Sequence, residues 1–311
     1  MNVQKKQMQE AAILYYEKNY TQSEIANIMN LSRQTVSKIL NDAIKENIVE
    51  IKIHNPEITC KELEEELCDR FNIKNAIVCG VSNVDESLCL LMTVKKASDY
   101  IFSLIEKGNQ KIAISWGRTV QTLISEFGER NTVGNIVFPL FGATDQEKSC
   151  YLSNELARSF ADKIGAKVKY AWFPYRPDSA SDSELFKKTS YYKKIHDLWE
   201  NIDVAIVGIG NSEIIETFGK NFGYSEKCLS AVGDISTHFF DKDGNIVELY
   251  ENTLCVGREN LKKAKETIAV ACGRNKVEAI TGALRTDMID TLITDEYTAK
   301  NILSALNKMN K

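Results

Sequence analysis

Thr21–Leu40, TQSEIANIMNLSRQTVSKIL, reads as two short helices joined by a tight turn. Thr21 and Glu24 have the Ser/Thr-x-x-Glu spacing of a capping box, so a helix can begin there. Ile25, Ile28 and Met29 recur at helical spacing and are expected to face a core. Asn30 is a helix stop and Leu31 a plug between helices. Ser32 can cap a second helix. On that helix Val36, Ile39 and Leu40 point inward, and Arg33, Gln34, Thr35, Ser37 and Lys38 stay outside. The outward set suits DNA. Arg and Gln can make bidentate contacts to base edges, and Thr, Ser and Lys suit phosphates. In a helix-turn-helix the second helix enters the major groove N-terminus first, where Arg33 and Gln34 sit. Ser32, Arg33, Gln34, Thr35, Ser37 and Lys38 are therefore the candidate DNA-contacting residues.

An ordinary helical hairpin with a solvated polar face has the same pattern, so the rest of the chain must decide. At 311 residues it is too long for a DNA-binding module alone. A prior of ~150 residues per domain gives about two domains. No apolar run approaches the ~18 residues of a membrane span. MNVQKKQMQE has no apolar stretch after its basic pair, so no signal peptide and a cytoplasmic location are expected. Residues 1–55 carry seven Lys/Arg against six Asp/Glu, so the overall formal charge of −4 arises elsewhere. One net positive charge is little for a nucleic-acid binder. Dimerisation, which doubles the phosphate contacts, is the expected remedy.

The eight cysteines form no CxxC, and His54, His196 and His238 stand near no cysteine pair. No metal site or cofactor is expected. Cys79 and Cys272 fall in apolar runs and read as small core residues.

Val3–Lys18 reads as a first helix with Met8, Ala11, Ala12, Tyr15 and Tyr16 as its buried stripe. Val49, Ile51 and Ile53 alternate with Glu50 and Lys52, which could form a short wing. Pro56 breaks the chain, and Asn55–Thr59 is taken as the boundary between a helix-turn-helix domain, 1–55, and a second domain, 56–311. Lys61–Phe71 is amphipathic, with Leu63, Leu67 and Phe71 on one side. Thereafter short apolar runs alternate with helical ones. Ala76–Val81, Lys111–Ser115, Ile136–Leu140, Val168–Phe173, Val204–Gly208, Thr267–Ala271 and Asp290–Thr294 read as strands. Leu88–Ile105, Thr119–Phe127, Leu152–Ile164, Lys276–Leu284 and Glu296–Leu306 read as helices. Asp241–Gly244 looks like a hairpin turn. The alternation argues for an α/β fold with a mostly parallel sheet covered on both faces.

In open α/β sheets ligands bind at the carboxyl ends of the strands. Four loops are expected there. Ser115-Trp116-Gly117-Arg118-Thr119 opens a helix whose first amides attract phosphate, and Arg118 and Thr119 add donors. Gly208-Ile209-Gly210-Asn211-Ser212 has glycines that let a ligand approach the backbone. Gly273-Arg274-Asn275-Lys276 supplies two cations. Thr294-Asp295-Glu296 could accept hydrogen bonds from sugar hydroxyls. Each loop alone has a plain structural reading, as a tight turn, a solvated charge or a helix cap. Together they point to a pocket for a phosphorylated small molecule. No Walker motif is present, and the Gly-x-Gly lacks the third glycine and following acid of a dinucleotide site.

YYEKNYTQSEIANIMNLSRQTVSKIL, ISWGRTV, VAIVGIG, AVGDISTHFFDKDGNIV, VACGRNKVEAITGAL and DTLITDEYTAKNIL, in this order, resemble the SorC (SorC/DeoR) family of bacterial sugar-responsive transcriptional regulators. The resemblance spans nearly the whole chain. It implies an effector domain like phosphosugar isomerases and deaminases, assembly as a homodimer or homotetramer, and operator DNA as partner. It implies the function of a regulator of a carbohydrate or polyol utilisation operon, gated by a phosphorylated sugar or polyol. It places Trp116–Thr119 on the phosphate side, Asp234 and Lys276 against the ligand, and Asp295 at the pocket rim. Some relatives carry Lys or Arg after the strand matching Ile136–Leu140, and one branch forms a Schiff base there. This chain has Phe141, which cannot.

The alternative is a phosphosugar isomerase or deaminase with an added N-terminal domain. That chemistry needs a positioned general base, and no histidine lies in the four loops. A regulator without enzymatic activity is the expectation. Pro174-Tyr175-Arg176-Pro177-Asp178 reads either as a cover over the pocket or as a surface turn.

Overall fold

The computed structural model describes residues 3–49, 60–80, 85–145, 152–212, 230–248 and 252–309. The chain divides into two compact units, Met1–Glu57 and Ile58–Lys311.

The first unit holds α1 (Val3–Ala12), one π-helical turn (Ile13–Glu17), α2 (Gln22–Met29) and α3 (Arg33–Lys45). The capping box forms: Thr21 Oγ1 accepts the Glu24 amide at 3.3 Å, and the Glu24 carboxylate accepts the Thr21 amide at 2.8 Å. Asn30 stops α2 in the left-handed region at φ 53°, a conformation asparagine tolerates. Ser32 Oγ caps α3 by accepting the Thr35 amide at 3.1 Å. Ala11, Ile25, Ala26, Val36 and Leu40 make the core, with Leu14, Tyr15, Met29, Leu31 and Ile39 packed around it.

Two residues expected inside are outside. Ile28 is 54% exposed and Tyr16 38% exposed. Tyr16 lies in the π-helical turn, whose wider spacing rotates it off the stripe that α1 sets up. Ile28 falls on the outer side of an eight-residue helix that buries only Ile25 and Ala26 fully. The expected wing at Ile51 and Ile53, and the boundary at Asn55–Thr59, lie outside the described residues.

The second unit is built on a ten-stranded sheet. Its strands are β1 (Asn75–Cys79), β2 (Lys111–Ile114), β3 (Ile136–Pro139), β4 (Lys167–Val168), β5 (Val204–Asn211), β6 (Gly233–Ile235), β7 (His238–Phe240), β8 (Ile246–Val247), β9 (Glu266–Val270) and β10 (Thr291–Asp295). Seven run parallel in the order β1-β10-β9-β5-β2-β3-β4. Successive residues of a strand face opposite sides. Ile112–Ile114, Val204–Val207 and Ile268–Val270 are buried without interruption, so both faces are covered. The helices are α4 (Lys61–Phe71), α5 (Glu86–Ile105), α6 (Arg118–Glu126), α7 (Ser153–Ile164), α8 (Ala180–Lys188), α9 (Ser190–Trp199), α10 (Arg258–Lys263), α11 (Val277–Leu284) and α12 (Glu296–Met309).

Three departures from the sequence reading have local causes. β4 is two residues long, not six. It is an edge strand, and beyond it Asn154 of α7 takes over the role of a neighbour: its Oδ1 accepts the Ala171 amide at 2.9 Å and its Nδ2 donates to the Ala171 carbonyl at 3.1 Å. Helices α8 and α9 had no expectation. Each starts on a side-chain cap, Ser179 Oγ on the Asp182 amide and Thr189 Oγ1 on the Tyr192 amide. Gly208 and Gly210 are not in a loop. β5 continues to Asn211, because β6 supplies antiparallel partners for Ile209, Gly210 and Asn211. The Asp241–Gly244 turn does join β7 to β8, with Phe239 opposite Val247 and Phe240 opposite Ile246.

Candidate functional site

The chain leaves β2 toward β3 and β4, then returns to lay β5 on the other side of β2. That reversal makes a topological switch point, and the crevice beyond the carboxyl ends of β2 and β5 is where such sheets bind ligands. Three segments reach it.

After β2, Ser115-Trp116-Gly117 leads into α6. Gly117 has φ 105° and ψ 163°, a region open essentially to glycine alone. A Cβ there would meet nothing within 4 Å. The glycine is required by backbone conformation, and the space before α6 is open. No side chain caps α6. Its first-turn amides carry the positive end of the helix dipole toward that space, the arrangement that suits an anion. Arg118 is exposed beside them, and Thr119 is buried.

After β9, Gly273 repeats the conformation, with φ 113° and ψ 152°, and opens the short turn Arg274–Lys276 before α11. Lys276 Nζ donates to the Ile209 carbonyl of β5 at 2.8 Å and to the Thr119 hydroxyl of α6 at 3.4 Å. One ammonium thus joins the ends of β2, β5 and β9. Arg274 goes elsewhere. Its guanidinium lies 4.8 Å from the Tyr297 ring centroid. Asn211, which the sequence reading did not single out, donates to the Asn275 carbonyl at 3.4 Å and braces the same turn.

Asp234 comes from β6, directly opposite Gly210. It is buried, and burial pushes its carboxyl up to about 6. The Thr237 amide, the Lys276 charge and a hydrogen bond from Trp116 pull the other way. The Thr237 amide donates at 3.0 Å. This contact needs the two-residue turn Ser236-Thr237, both at positive φ (47° and 76°), as in a type I′ hairpin. Gly233 is needed for close approach, since a Cβ there would lie 2.5 Å from the Gly210 carbonyl oxygen.

An aromatic wall stands beside Asp234. The Trp116 and Phe141 ring centroids are 4.6 Å apart, and Tyr175 stands 5.8 Å from Phe141. All three are buried. Tyr175 is thus turned inward while its neighbours Arg176 and Asp178 are exposed. Phe141 stands where the family resemblance allows a cation, and it packs on Trp116 instead.

Asp295 is not at a rim. It is 1% exposed, and its oxygens are committed. Oδ1 accepts the Thr298 amide at 3.0 Å, and Oδ2 accepts the Gly273 amide at 3.3 Å and the Thr298 hydroxyl. It ties the start of α12 to the turn that carries Lys276. Gly208 lies 3.6 Å, by its missing Cβ, from the Trp116 carbonyl and from Val120, which lets β5 run close to the start of α6.

A separate cleft of about 220 Å³ is lined by Tyr175, Thr237, His238, Cys255 and Arg258 among others. None of Trp116–Thr119, Asp234 or Lys276 lines it. The His238 Nε2–H donates to the Val256 carbonyl at 2.9 Å, and burial lowers its basicity to about 4.

A helix-turn-helix unit joined to an α/β unit with an anion-suited crevice defines a ligand-responsive DNA-binding regulator. Residues 55–304 match the family described as "Putative sugar-binding domain", and residues 7–46 match the description "Sigma-70, region 4". The chain belongs to this sugar-binding family, the SorC family of transcriptional regulators. It is 29% identical over 302 residues to the sorbitol operon regulator of Klebsiella pneumoniae, covering 94% of this chain and 96% of that one. It is 27% identical over 315 residues to the deoxyribonucleoside regulator of Bacillus subtilis (strain 168), covering 98% and 100%. The crystal structure of the full-length Klebsiella regulator superposes with a TM-score of 0.75 at 28% identity, over 96% of this chain and 98% of that one. Among the described residues no helix is long and apolar enough to cross a membrane.

Proposed function

We propose that this regulator binds a phosphorylated sugar or polyol in the crevice beyond β2, β5 and β9, and that the ligand switches its hold on operator DNA. The observation that carries the reading is Lys276 Nζ, held within hydrogen-bond distance of Thr119 beside the uncapped start of α6. A phosphate seated there takes the α6 amides, Arg118 and Lys276. Asp234 faces sugar hydroxyls as an acceptor, and Trp116 orients it. Asp295 acts through Gly273, as a positioning residue for the Lys276 turn. Gly208 and Gly210 serve by keeping β5 close to α6 and β6.

On the DNA side, Ser32, Arg33, Gln34, Thr35, Ser37 and Lys38 present the reading face, as residues 1–55 with their near-neutral charge require two copies on one operator. A homodimer or homotetramer, formed by residues 56–311, supplies them. The ligand then acts by its differential affinity for arrangements that fit or miss both half-sites. The unit carries no catalysis in this reading: neither His196 nor His238 lies among the crevice residues named above.

The test is fluorescence anisotropy of the protein on DNA from upstream of its own gene. Competitor DNA is in excess, with and without a panel of sugar and polyol phosphates. Specific binding that one phosphate weakens or remodels is expected. Specific binding unaltered by every phosphate removes the phosphorylated ligand. No specific binding removes the regulator, and the panel is then assayed for turnover.

A further inference from the structure

Six cysteines lie among the described residues, and two of them meet. Cys89, in the first turn of α5, and Cys272, between β9 and Gly273, have their sulfurs within 4.8 Å of each other and of an Asp295 oxygen. The two cysteines are far apart in sequence, so no spacing motif announces the pair. Cys89 is buried, and Cys272 is partly open to solvent. We propose that Cys89 and Cys272 form a reversible disulfide that locks the Lys276 turn to α5.

Two thiols and a carboxylate could instead hold a metal ion. Asp295 argues against that, because both its oxygens already accept hydrogen bonds from Gly273 and Thr298. Two sulfurs remain, and two sulfurs make a disulfide. The electrostatics assign the roles. The neighbouring Cys89 thiol is the largest influence lowering Cys272, with Thr93 and Lys276 helping. The same pairing, then burial, holds Cys89 protonated. Cys272 is the attacking thiolate and Cys89 the resolving thiol.

The oxidant is a low-molecular-weight disulfide such as glutathione disulfide. The Cys272 thiolate attacks one of its sulfurs, forming a mixed disulfide and expelling one glutathione thiolate. Cys89 gives its proton to solvent and attacks the Cys272 sulfur, expelling the second. The protein loses two electrons and two protons, and glutathione disulfide becomes two thiols. A disulfide needs sulfurs about 2.05 Å apart, so the two sulfurs must close by at most about 3 Å. Cys272 directly precedes Gly273, which opens the turn that carries Lys276. The movement draws on the turn that positions Lys276, which is the consequence that rests on the ligand reading above.

The full-length protein is incubated in graded glutathione disulfide, blocked with iodoacetamide, digested and mapped by mass spectrometry. A Cys89–Cys272 linked peptide that dithiothreitol reverses is expected. It is absent in Cys89→Ala and Cys272→Ala, whose folding is checked by thermal melting. Both thiols alkylated throughout, or only a lasting glutathione adduct on Cys272, overturns the pair. So does zinc or copper(I) bound stoichiometrically by the reduced protein and lost in both variants. Stabilisation of the reduced protein by inorganic phosphate should shrink at least severalfold on oxidation. Equal stabilisation of both forms overturns the coupling. No stabilisation even when reduced counts against the phosphate site, while the peptide map still decides the disulfide.

Discussion

The proposed DNA-reading face and the proposed ligand crevice are held together in opposite ways. The starts of α2 and α3 are set by contacts that span three residues, Thr21 with Glu24 and Ser32 with Thr35. Arg33, Gln34, Thr35 and Lys38 are exposed and add little to their own unit's packing. In the crevice, Lys276 reaches Thr119 across 157 positions of sequence and Ile209 across 67. Asp234 and Asp295 are buried; Asp234 accepts the Thr237 amide of its own hairpin, and Asp295 accepts the Gly273 amide across 22 positions. A face built locally and left exposed can change without unfolding its unit. A site built at long range in the interior cannot, so there function and stability move together.

The largest effect expected on the exposed side is at Arg33 and Gln34. A bidentate base contact carries about 1–3 kcal/mol of discrimination. Arg33→Ala with Gln34→Ala is expected to lower specific operator affinity by roughly 30- to 10⁴-fold and leave the melting temperature within about a degree, since surface substitutions rarely exceed ~0.5 kcal/mol. Anisotropy and a thermal melt on the same sample check both halves. A large loss of stability would break the comparison, by showing the face to be structural.

Lys276→Ala is the matching test inside. It is expected to leave operator binding intact and abolish the response to phosphate ligands. It also leaves the Ile209 carbonyl without this donor, so stability should fall by about 1–3 kcal/mol. Urea unfolding and ligand titration read the two effects. A normal ligand response would remove Lys276 from the site.

The same contrast explains what could be read in advance. The caps at Thr21 and Ser32, the stop at Asn30 and the parallel strands follow from short-range rules, so they were legible. The loop at Trp116–Thr119 and the turn at Lys276 were legible as strand-to-helix connections. What they touch was not. Nothing near Gly208 or Gly210 says that β6 will extend β5 past them, since β6 starts over twenty residues on. Asp295 reads equally well as a rim acid or a cap, and only the position of Gly273 decides. Phe141, Tyr175 and Asn211 stand in segments the sequence singles out, but nothing local says that the two rings pack on Trp116 or that Asn211 braces the Asn275 turn. Tyr16 failed for a different reason: a single π turn shifts the helical phase, and no residue in Ile13–Glu17 marks it.

Titration offers a sharper version of the comparison. Asp234 is raised in the folded chain to about 6 from 3.8. The folded state therefore holds a proton that the unfolded state releases between those values. Stability falls as pH rises through the window, by about 3 kcal/mol at most. His238 is lowered to about 4 from 6.5, so the unfolded state binds its proton first and stability rises over nearly the same window. The two trends oppose each other in the wild-type chain. Asp234→Asn is expected to leave a stability that climbs from pH 4 to 6.5. His238→Gln is expected to leave one that falls from pH 4 to 6. Urea midpoints measured across this range check the slopes, and parallel curves for all three proteins would show that neither group is perturbed.

The smallest effect separates two helix starts. Ser32 closes the start of α3 with its own hydroxyl, whereas Gly117 leaves the start of α6 without a side-chain cap. Removing a serine cap costs about 1 kcal/mol, and glycine at the same position only a few tenths. Ser32→Ala should lower stability by about that amount, and Ser32→Gly should recover most of it. Operator affinity gives the second reading. If Ser32 only caps, Ser32→Gly keeps wild-type affinity. If its hydroxyl also meets a phosphate, both variants lose affinity alike, and they lose it to a similar extent on every DNA sequence. Adding an anion should do nothing for the first start, whose donor is already used. At the second it should stabilise the unit, because the helix dipole there meets no side-chain cap.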